Sequence, residues 1–234
     1  MKIDHGSPSE YSVSGIQKRI QKMHKILPIN GIGLDFGTGK GAYFCELLNY
    51  LEKLYAFDKT VLFLKDFKEN NMQGSDKIFV SSSESCSLKS EIFDVVFTIE
   101  VLEHVENLDK SLLEINRILK PNGCLYMTVP NKYFPFETHM VNIGQLTLNG
   151  KYIPFLSMVN FIHKKIGTAR RFSQKDIYGI ASHYGFEIVG MKHMMPPFDY
   201  WKFGKKMFLG MGNFIEESFL RFFSMTLIAV LQKT

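Results

Sequence analysis

Gly33-Leu34-Asp35-Phe36-Gly37-Thr38-Gly39-Lys40-Gly41 decides how the rest of this chain is read. Upstream, Ile32, Leu34 and Phe36 alternate as the residues of a strand do. Downstream, Tyr43, Phe44, Leu47, Leu48 and Leu51 recur at helical spacing. A strand therefore runs into a glycine-rich turn, and a helix is predicted beyond it. Glycines suit a turn where backbone comes close to a ligand, at φ values that side chains disfavour. The helix start is expected to aim free N–H groups and a positive dipole end at that ligand. A second apolar run, Leu54-Tyr55-Ala56-Phe57, closes on Asp58, about twenty residues past Gly37. At that spacing a carboxylate on the tip of the next strand reaches a ribose diol.

The glycines alone fit two ligands. Gly37-x-Gly39-x-x-Ala42 satisfies the dinucleotide fingerprint, which permits Ala at its last position. Asp35-x-Gly37-x-Gly39-x-Gly41 resembles the first motif of the class I S-adenosylmethionine (SAM) methyltransferases. The acidic residue inside the strand favours the second reading, because a carboxylate there holds an ammonium group, which SAM has and a nicotinamide dinucleotide lacks.

Composition narrows the class. The 234 residues are read as one domain, with a tail and helix over 1–28, an inserted cap over 131–172 and an aromatic-rich segment over 196–223. A hydrophobic content of 45% fills a core, so the chain is globular. The net charge of +5 is spread along the sequence and does not call for nucleic acid; DNA is not expected as a partner. Cys45, Cys86 and Cys124 are far apart, show no metal-ligand pairing and suggest a reducing, cytoplasmic compartment. The polar N-terminus, Met1 to Ser12, does not read as a signal segment, and no run approaches the roughly 20 apolar residues of a membrane span.

In chain order, residues 1–12 read as a tail that folds over a ligand. Ile16, Ile20, Met23, Ile26 and Leu27 predict a helix over 14–27, stopped by Pro28-Ile29-Asn30-Gly31. After the glycine turn come a helix, the strand ending at Asp58, and a helix over 60–67 with Thr60 as N-cap. A short strand over 77–80 leads into a serine-rich loop, 81–90. Phe93 to Ile99 is apolar throughout its centre, as a strand buried on both faces is. Asn107 to Lys120 is an amphipathic helix, and Cys124 to Val129 a strand ended by Pro130-Asn131. Residues 131–172 hold aromatics and show little periodicity, hence the inserted cap. Ser173-x-x-Asp176 resembles a capping box opening a helix to about Tyr184; strands over 186–189 and 225–231 follow. This α/β alternation predicts a doubly wound, mostly parallel, Rossmann-like sheet. Its ligands bind at the carboxyl ends of the strands, where the glycine turn, Asp58, the serine loop, Glu100 to His104 and Asn131 all fall.

Phe93-Asp94-Val95-Val96, Val101-Leu102-Glu103-His104-Val105 and Leu119-Lys120-Pro121-Asn122-Gly123-Cys124-Leu125 follow the first motif in order. Together they resemble the type 11 SAM-dependent methyltransferases, over about residues 30–130 and more loosely after Ser173. The resemblance implies seven strands in the order 3-2-1-4-5-7-6, the last antiparallel, with SAM as cofactor. It implies that Gly37, Thr38 and Gly39 pass the methionine part of SAM, that Asp35 serves its amino group and Asp58 its ribose, and that Ile99 offers backbone contact. An acidic residue usual after the third strand is missing: Ser82 stands there, with Glu84 two positions on, so the adenine amino group falls to Ser82 or to a shifted Glu84.

SAM brings its own activated methyl group, so the protein aligns an acceptor, excludes water and removes a proton. Glu103, His104 and His139 are the candidate bases; alternatively, His104 merely packs in the first turn of a helix. Glu100-x-x-Glu103-His104 at i, i+3, i+4 shares one face if helical. The triplet is similar to the metal-holding one of ubiquinone-pathway O-methyltransferases and to that of small-RNA 2′-O-methyltransferases, which implies Mg2+ or another divalent cation on Glu100, Glu103 and His104. Phe198, Tyr200, Trp201, Phe203, Met207, Phe208, Phe214, Phe219, Phe222 and Phe223, with Lys202, Lys205 and Lys206, line an apolar or lipid-like acceptor pocket or a peripheral membrane helix on one reading. On the other, they close the core or a dimer face. The favoured activity is methyl transfer from SAM to a small-molecule acceptor, most simply a hydroxyl oxygen. The competing readings are an RNA 2′-O-methyltransferase, a nicotinamide-dependent oxidoreductase and a non-catalytic SAM-binding protein.

Overall fold

A computed structural model describes residues 12–69, 77–150, 153–196 and 205–234. The tail over 1–11, Trp201 and its neighbours over 197–204 lie outside the described residues. The chain gives β1 (Ile32–Phe36), β2 (Lys53–Asp58), β3 (Ile78–Val80), β4 (Phe93–Ile99), β5 (Leu119–Pro130), β6 (Met140–Ile143), β7 (Leu146–Asn149), β8 (Phe186–Met194) and β9 (Thr226–Lys233). Helices are α1 (Val13–His24), α2 (Phe44–Leu47), α3 (Val61–Glu69), α4 (Leu108–Ile118), α5 (Asn160–Ile166), α6 (Gln174–His183) and α7 (Lys205–Glu217).

Seven strands form one sheet in the order β3-β2-β1-β4-β5-β9-β8. Setting aside the separate β6–β7 ribbon, this is the predicted 3-2-1-4-5-7-6. β9 runs antiparallel to both of its neighbours, β5 and β8. The buried residues form two bodies, one on each face. Ile16, Ile20 and Met23 of α1 pack with Phe44 and Leu47 of α2 and Leu64 and Phe67 of α3 on one side. Leu112, Ile115 and Ile118 of α4 pack with Ile177 and Ile180 of α6 on the other. Sheet strands covered on both faces read as continuous apolar runs, which is why β1, β4 and β5 are legible in the sequence.

Local signals set most boundaries. The Ser12 hydroxyl accepts from Gly15 N–H at 3.1 Å and caps α1; Asn107 Oδ1 accepts from Lys110 N–H at 3.0 Å and caps α4. Ser173 and Asp176 form the expected reciprocal capping box of α6, and Gly185 (φ 70°) ends it. β8 runs on to Met194, beyond the predicted Val189. Glu114 on α4 accepts from Cys86 N–H at 2.8 Å, and Arg117 donates to the Cys86 and Leu88 carbonyls, so one helix pins the serine loop.

Two expectations change. The helix after the glycine turn is only Phe44–Leu47, because three glycines prolong the turn to Gly41 and residues 49–50 continue with tight i→i−3 bonds. α4 stops at Ile118 rather than Lys120, and β5 pairs with β4 already at Leu119, with a register shift that accommodates Pro121-Asn122-Gly123.

Residues 131–172 leave the sheet at Pro130 and return beside it. Phe172 N–H donates to Pro130 O at 3.0 Å, and Lys132 N–H to Phe172 O at 2.9 Å. Within this excursion β6 and β7 form a hairpin around Gly144 (φ 60°) and Gln145, and α5 follows. α7 is tied to α1 through Glu216, whose carboxylate lies 2.6 Å from Lys18 Nζ and 2.7 Å from Lys22 Nζ. Met207, Met211, Phe214, Phe219, Phe222 and Phe223 are exposed, so they do not close the core of this chain as one reading of the aromatic segment expected.

Candidate active site

The glycine turn is laced to the end of β2. Gly37 and Thr38 N–H both donate to Phe57 O, at 3.0 and 2.9 Å. Gly39 N–H donates to Asp58 Oδ2 at 2.9 Å, and Asp58 Oδ1 accepts from Thr60 N–H at 2.8 Å. These amides are committed within the protein, and one helical turn carries little dipole, so the expected row of free N–H groups at a helix start gives way to a turn organised by the Asp58 carboxylate. Glycine is required at Gly41 (φ 79°), where a Cβ would lie 1.8 Å from the Phe67 ring. Gly39 (φ 55°) differs: a Cβ there meets nothing within 4 Å, so its open side is room for a ligand.

Asp35 stands on β1 beneath this turn, buried. Its Oδ2 and the Thr38 hydroxyl are both buried without a well-aligned hydrogen-bond partner among the described residues. Burial pushes the Asp35 carboxyl up to about 6; the Thr38 hydroxyl beside it pulls down and the Asp58 charge pushes up. A buried carboxyl lacking a partner, under a glycine that opens on empty space, is a site waiting for a cation. An ammonium group suits such a site, and Asp58 stands at the adjacent strand tip.

Ser82 lies exposed past β3, and its hydroxyl accepts from Glu84 N–H at 3.2 Å. Glu84 Oε1 instead accepts from Asn107 N–H at 3.0 Å, so Glu84 secures the start of α4 and leaves Ser82 at the strand tip.

At the end of β4 Ile99 is buried and Glu100 adopts φ 55°. Residues 101–104 form turns and not a helix, so the i, i+3, i+4 face does not exist there. Glu100 stays beside the Glu103 carboxyl, and its Oε1 accepts from the Thr128 hydroxyl at 2.9 Å and lies 3.5 Å from Arg19 Nη2. Arg19 is fully buried and donates through Nη1 to Tyr43 Oη at 2.7 Å. Sequence reasoning missed it, although an arginine inside the apolar stripe Ile16, Ile20, Met23 of α1 was a visible signal.

Glu103 is buried, and both its carboxyl oxygens lack a hydrogen-bond partner among the described residues. Burial, and then the Glu100 charge, hold it well above the usual carboxylate range, against a smaller pull from Arg19. His139 arrives from the cap: its ring centroid is 5.0 Å from that of His104. The donor atoms of Glu103, His104 and His139 all lie within 4.8 Å of one another. Behind His139, its Nδ1 is 3.1 Å from the Thr138 hydroxyl and 3.4 Å from Glu137 Oε1. Burial alone would raise the Glu137 carboxyl, but hydrogen bonds to His139 and His163 bring it down to about 2. The cluster is thus Glu103–His104–His139, with Glu100 turned to Arg19. A cavity of about 860 Å3 lies on its far side, lined by Glu103, His104 and the stretch from His163 to Ile180.

Comparison with known proteins agrees with the fold. Residues 34–127 match the family model described as a methyltransferase domain. A sterol 4-C-methyltransferase of Caenorhabditis elegans is 26% identical over 129 residues, 51% of this chain and 39% of that protein. The chain therefore spans about two fifths of that relative. The structure superposes on a SAM-dependent methyltransferase from Mesorhizobium loti with a TM-score of 0.62 at 14% identity, covering 91% of this chain and 96% of the other. A SAM-dependent methyltransferase from Thermotoga maritima gives a TM-score of 0.62 at 16% identity, covering 94% and 89%. These structures share the seven-stranded, Rossmann-like fold of the chain. Residues 34–127, about two fifths of the chain, are similar to a methyltransferase domain.

Proposed function

We propose that the protein transfers the methyl group of SAM to a hydroxyl oxygen of a small-molecule acceptor held beneath residues 131–172. The observation that carries this reading is the meeting of Glu103, His104 and His139, two of which, Glu103 and His104, also line the large cavity. An acceptor hydroxyl there has imidazoles within reach to take its proton. The buried Glu103 carboxyl beside them hydrogen-bonds the acceptor oxygen and fixes its angle to the sulfonium. Asp35 and Asp58 hold the cofactor still while this happens, and the cap excludes water.

The same three side chains fit a divalent cation such as Mg2+. They offer one carboxylate and two imidazoles within 4.8 Å, and a carboxylate behind His139 fixes its ring as a ligating histidine requires. Bound there, a cation would lower the pKa of the acceptor hydroxyl. An apolar or lipid-like acceptor is favoured by the exposed Phe136, Phe155 and Phe161 of the cap and Phe214 and Phe219 near α7. Those residues also suit contact with a membrane surface. The likeness to a sterol methyltransferase supports the same choice of acceptor. Three free cysteines, two of them buried, accord with a reducing, cytoplasmic setting. Among the described residues no helix is long and apolar enough to cross a membrane.

The test is methyl release from labelled SAM across phenol, catechol and sterol acceptors, with and without a chelator. Turnover is expected to fall roughly 100- to 10,000-fold in His104→Asn or His139→Asn, with the Kd for S-adenosylhomocysteine unchanged. Full turnover in both variants, or a methyl group found on carbon or nitrogen, would overturn the oxygen-transfer reading. Loss of turnover on chelation, restored by Mg2+, would establish the cation.

A further inference from the structure

Past Glu103 and His104, the 860 Å3 cavity turns basic. Lys132, Lys164, Arg170, Arg171 and Lys175 line it, against Glu103, Glu106 and Asp176. The carboxylates do not balance the cations. Glu103 is buried in contact with Glu100. Glu106 is exposed and lies 3.2 Å from Lys59. Asp176 Oδ2 accepts from the Ser173 N–H and hydroxyl, both at 2.7 Å, within the α6 cap. Arg170 has a structural task, because its guanidinium donates to the Val105 and Glu106 carbonyls and clamps the loop after β4.

Arg171 has none. Its Nε and Nη1 are buried, yet no acceptor among the described residues takes a hydrogen bond from either. Its nearest charged influence is Glu137, and that carboxylate is already engaged by His139 and His163, the latter at 2.7 Å. A guanidinium stays charged, and buried donors without acceptors are costly, so such a group is kept where an outside anion completes it. The main chain aims it there: Arg171 follows Arg170, whose N–H is fixed to Glu103 O at 3.0 Å, and precedes Phe172, fixed to Pro130 O at 3.0 Å.

We infer that the acceptor carries an anionic group, a carboxylate or a phosphate, which the Arg171 guanidinium binds in this cavity with Lys132 and Lys175 adding to the positive field. The inference rests on the proposed acceptor site, and names the chemistry that site selects. Arginine matches the oxygens of either group in geometry as well as charge. The acceptor would then be held at two points, its hydroxyl at Glu103, His104 and His139 and its anion at Arg171.

The experiment is titration of the S-adenosylhomocysteine-loaded protein with benzoate and phenyl phosphate, and with benzyl alcohol as the neutral probe. The anionic probes are expected to bind at least tenfold more tightly than benzyl alcohol; whichever of the two binds better identifies the group. Arg171→Met is expected to abolish that preference, Arg171→Lys to retain part of it, and both to leave the Kd for S-adenosylhomocysteine unchanged. Equal binding of charged and neutral probes by the wild-type protein would overturn the inference, and does not depend on the variants folding. Unchanged anion binding in Arg171→Met would overturn it as well. Failure to load S-adenosylhomocysteine at all would instead count against the methyltransferase reading beneath it.

Discussion

Burial pushes the Asp35 carboxyl up to about 6 in the free protein. The folded state thus holds a proton that the unfolded chain releases near 3.8. Stability contributed at this site falls as pH rises from about 4 to about 6, by roughly 3 kcal/mol at most. The cation of SAM reverses the account, since it needs the carboxylate. We predict that the Kd for SAM rises close to tenfold per pH unit below about 6 and is flat above pH 7, measured by titration calorimetry. Asp35→Asn should melt higher than the wild-type protein at pH 7.5 without ligand, yet bind SAM weakly and with no pH dependence between 5 and 7. A wild-type Kd that ignores pH in that window would mean that Asp35 does not meet the ammonium. The places of Asp35, Gly39 and Asp58 on β1, the turn and β2 were legible because they follow from spacing along the chain. Arg19 and Arg171 were not. One is buried against Tyr43 and Glu100 and the other, at the end of the cap, lines the cavity, and those contacts span segments far apart in sequence.

The insertion over 131–172 is held by a buried anion rather than by a deep core of its own. Glu137 lies 2.7 Å from His163 on α5 and accepts from His139 N–H at 3.0 Å, so it joins the start of the hairpin to the helix that follows. Its carboxyl sits at about 2, below its usual 4.5, so its contribution is complete above about pH 4.5 and is lost as pH falls toward 2. Removing one partner of a buried pair costs on the order of 3–5 kcal/mol. For Glu137→Gln we expect amide exchange across 140–167 to accelerate by several orders of magnitude, while β1, β4 and β5 stay protected and S-adenosylhomocysteine binds as before. Equal acceleration in the sheet would show that the insertion is part of the main core. The β6–β7 hairpin escaped the sequence reading for a physical reason. A ribbon with β7 wholly exposed has no buried face, and so no alternation of apolar and polar residues to detect. The helical face expected for Glu100, Glu103 and His104 is absent because φ 55° at Glu100 makes a turn.

At the scale of the whole molecule, the sheet order was legible because each buried strand is an apolar run and each link is short, which leaves few topologies. What that order places at one edge is Asp35, Gly39 and Asp58, the proposed cofactor end, and Glu103, His104 and His139, the proposed acceptor end. They share one edge because every parallel strand presents its carboxyl end there. The segments that vary from the common plan, 131–172 and α7 with its exposed aromatics, close over that same edge, Asn131 Nδ2 donating to Phe222 O at 2.8 Å and Ser224 O at 2.7 Å. The central claim is that this edge binds SAM, and the direct measurement is titration calorimetry at pH 7.5 with S-adenosylhomocysteine, SAM and NAD. The account predicts saturable one-site heats for the first two and none for NAD. Absence of heat from both adenosyl ligands at millimolar concentration, or saturable binding of NAD in their place, would contradict it.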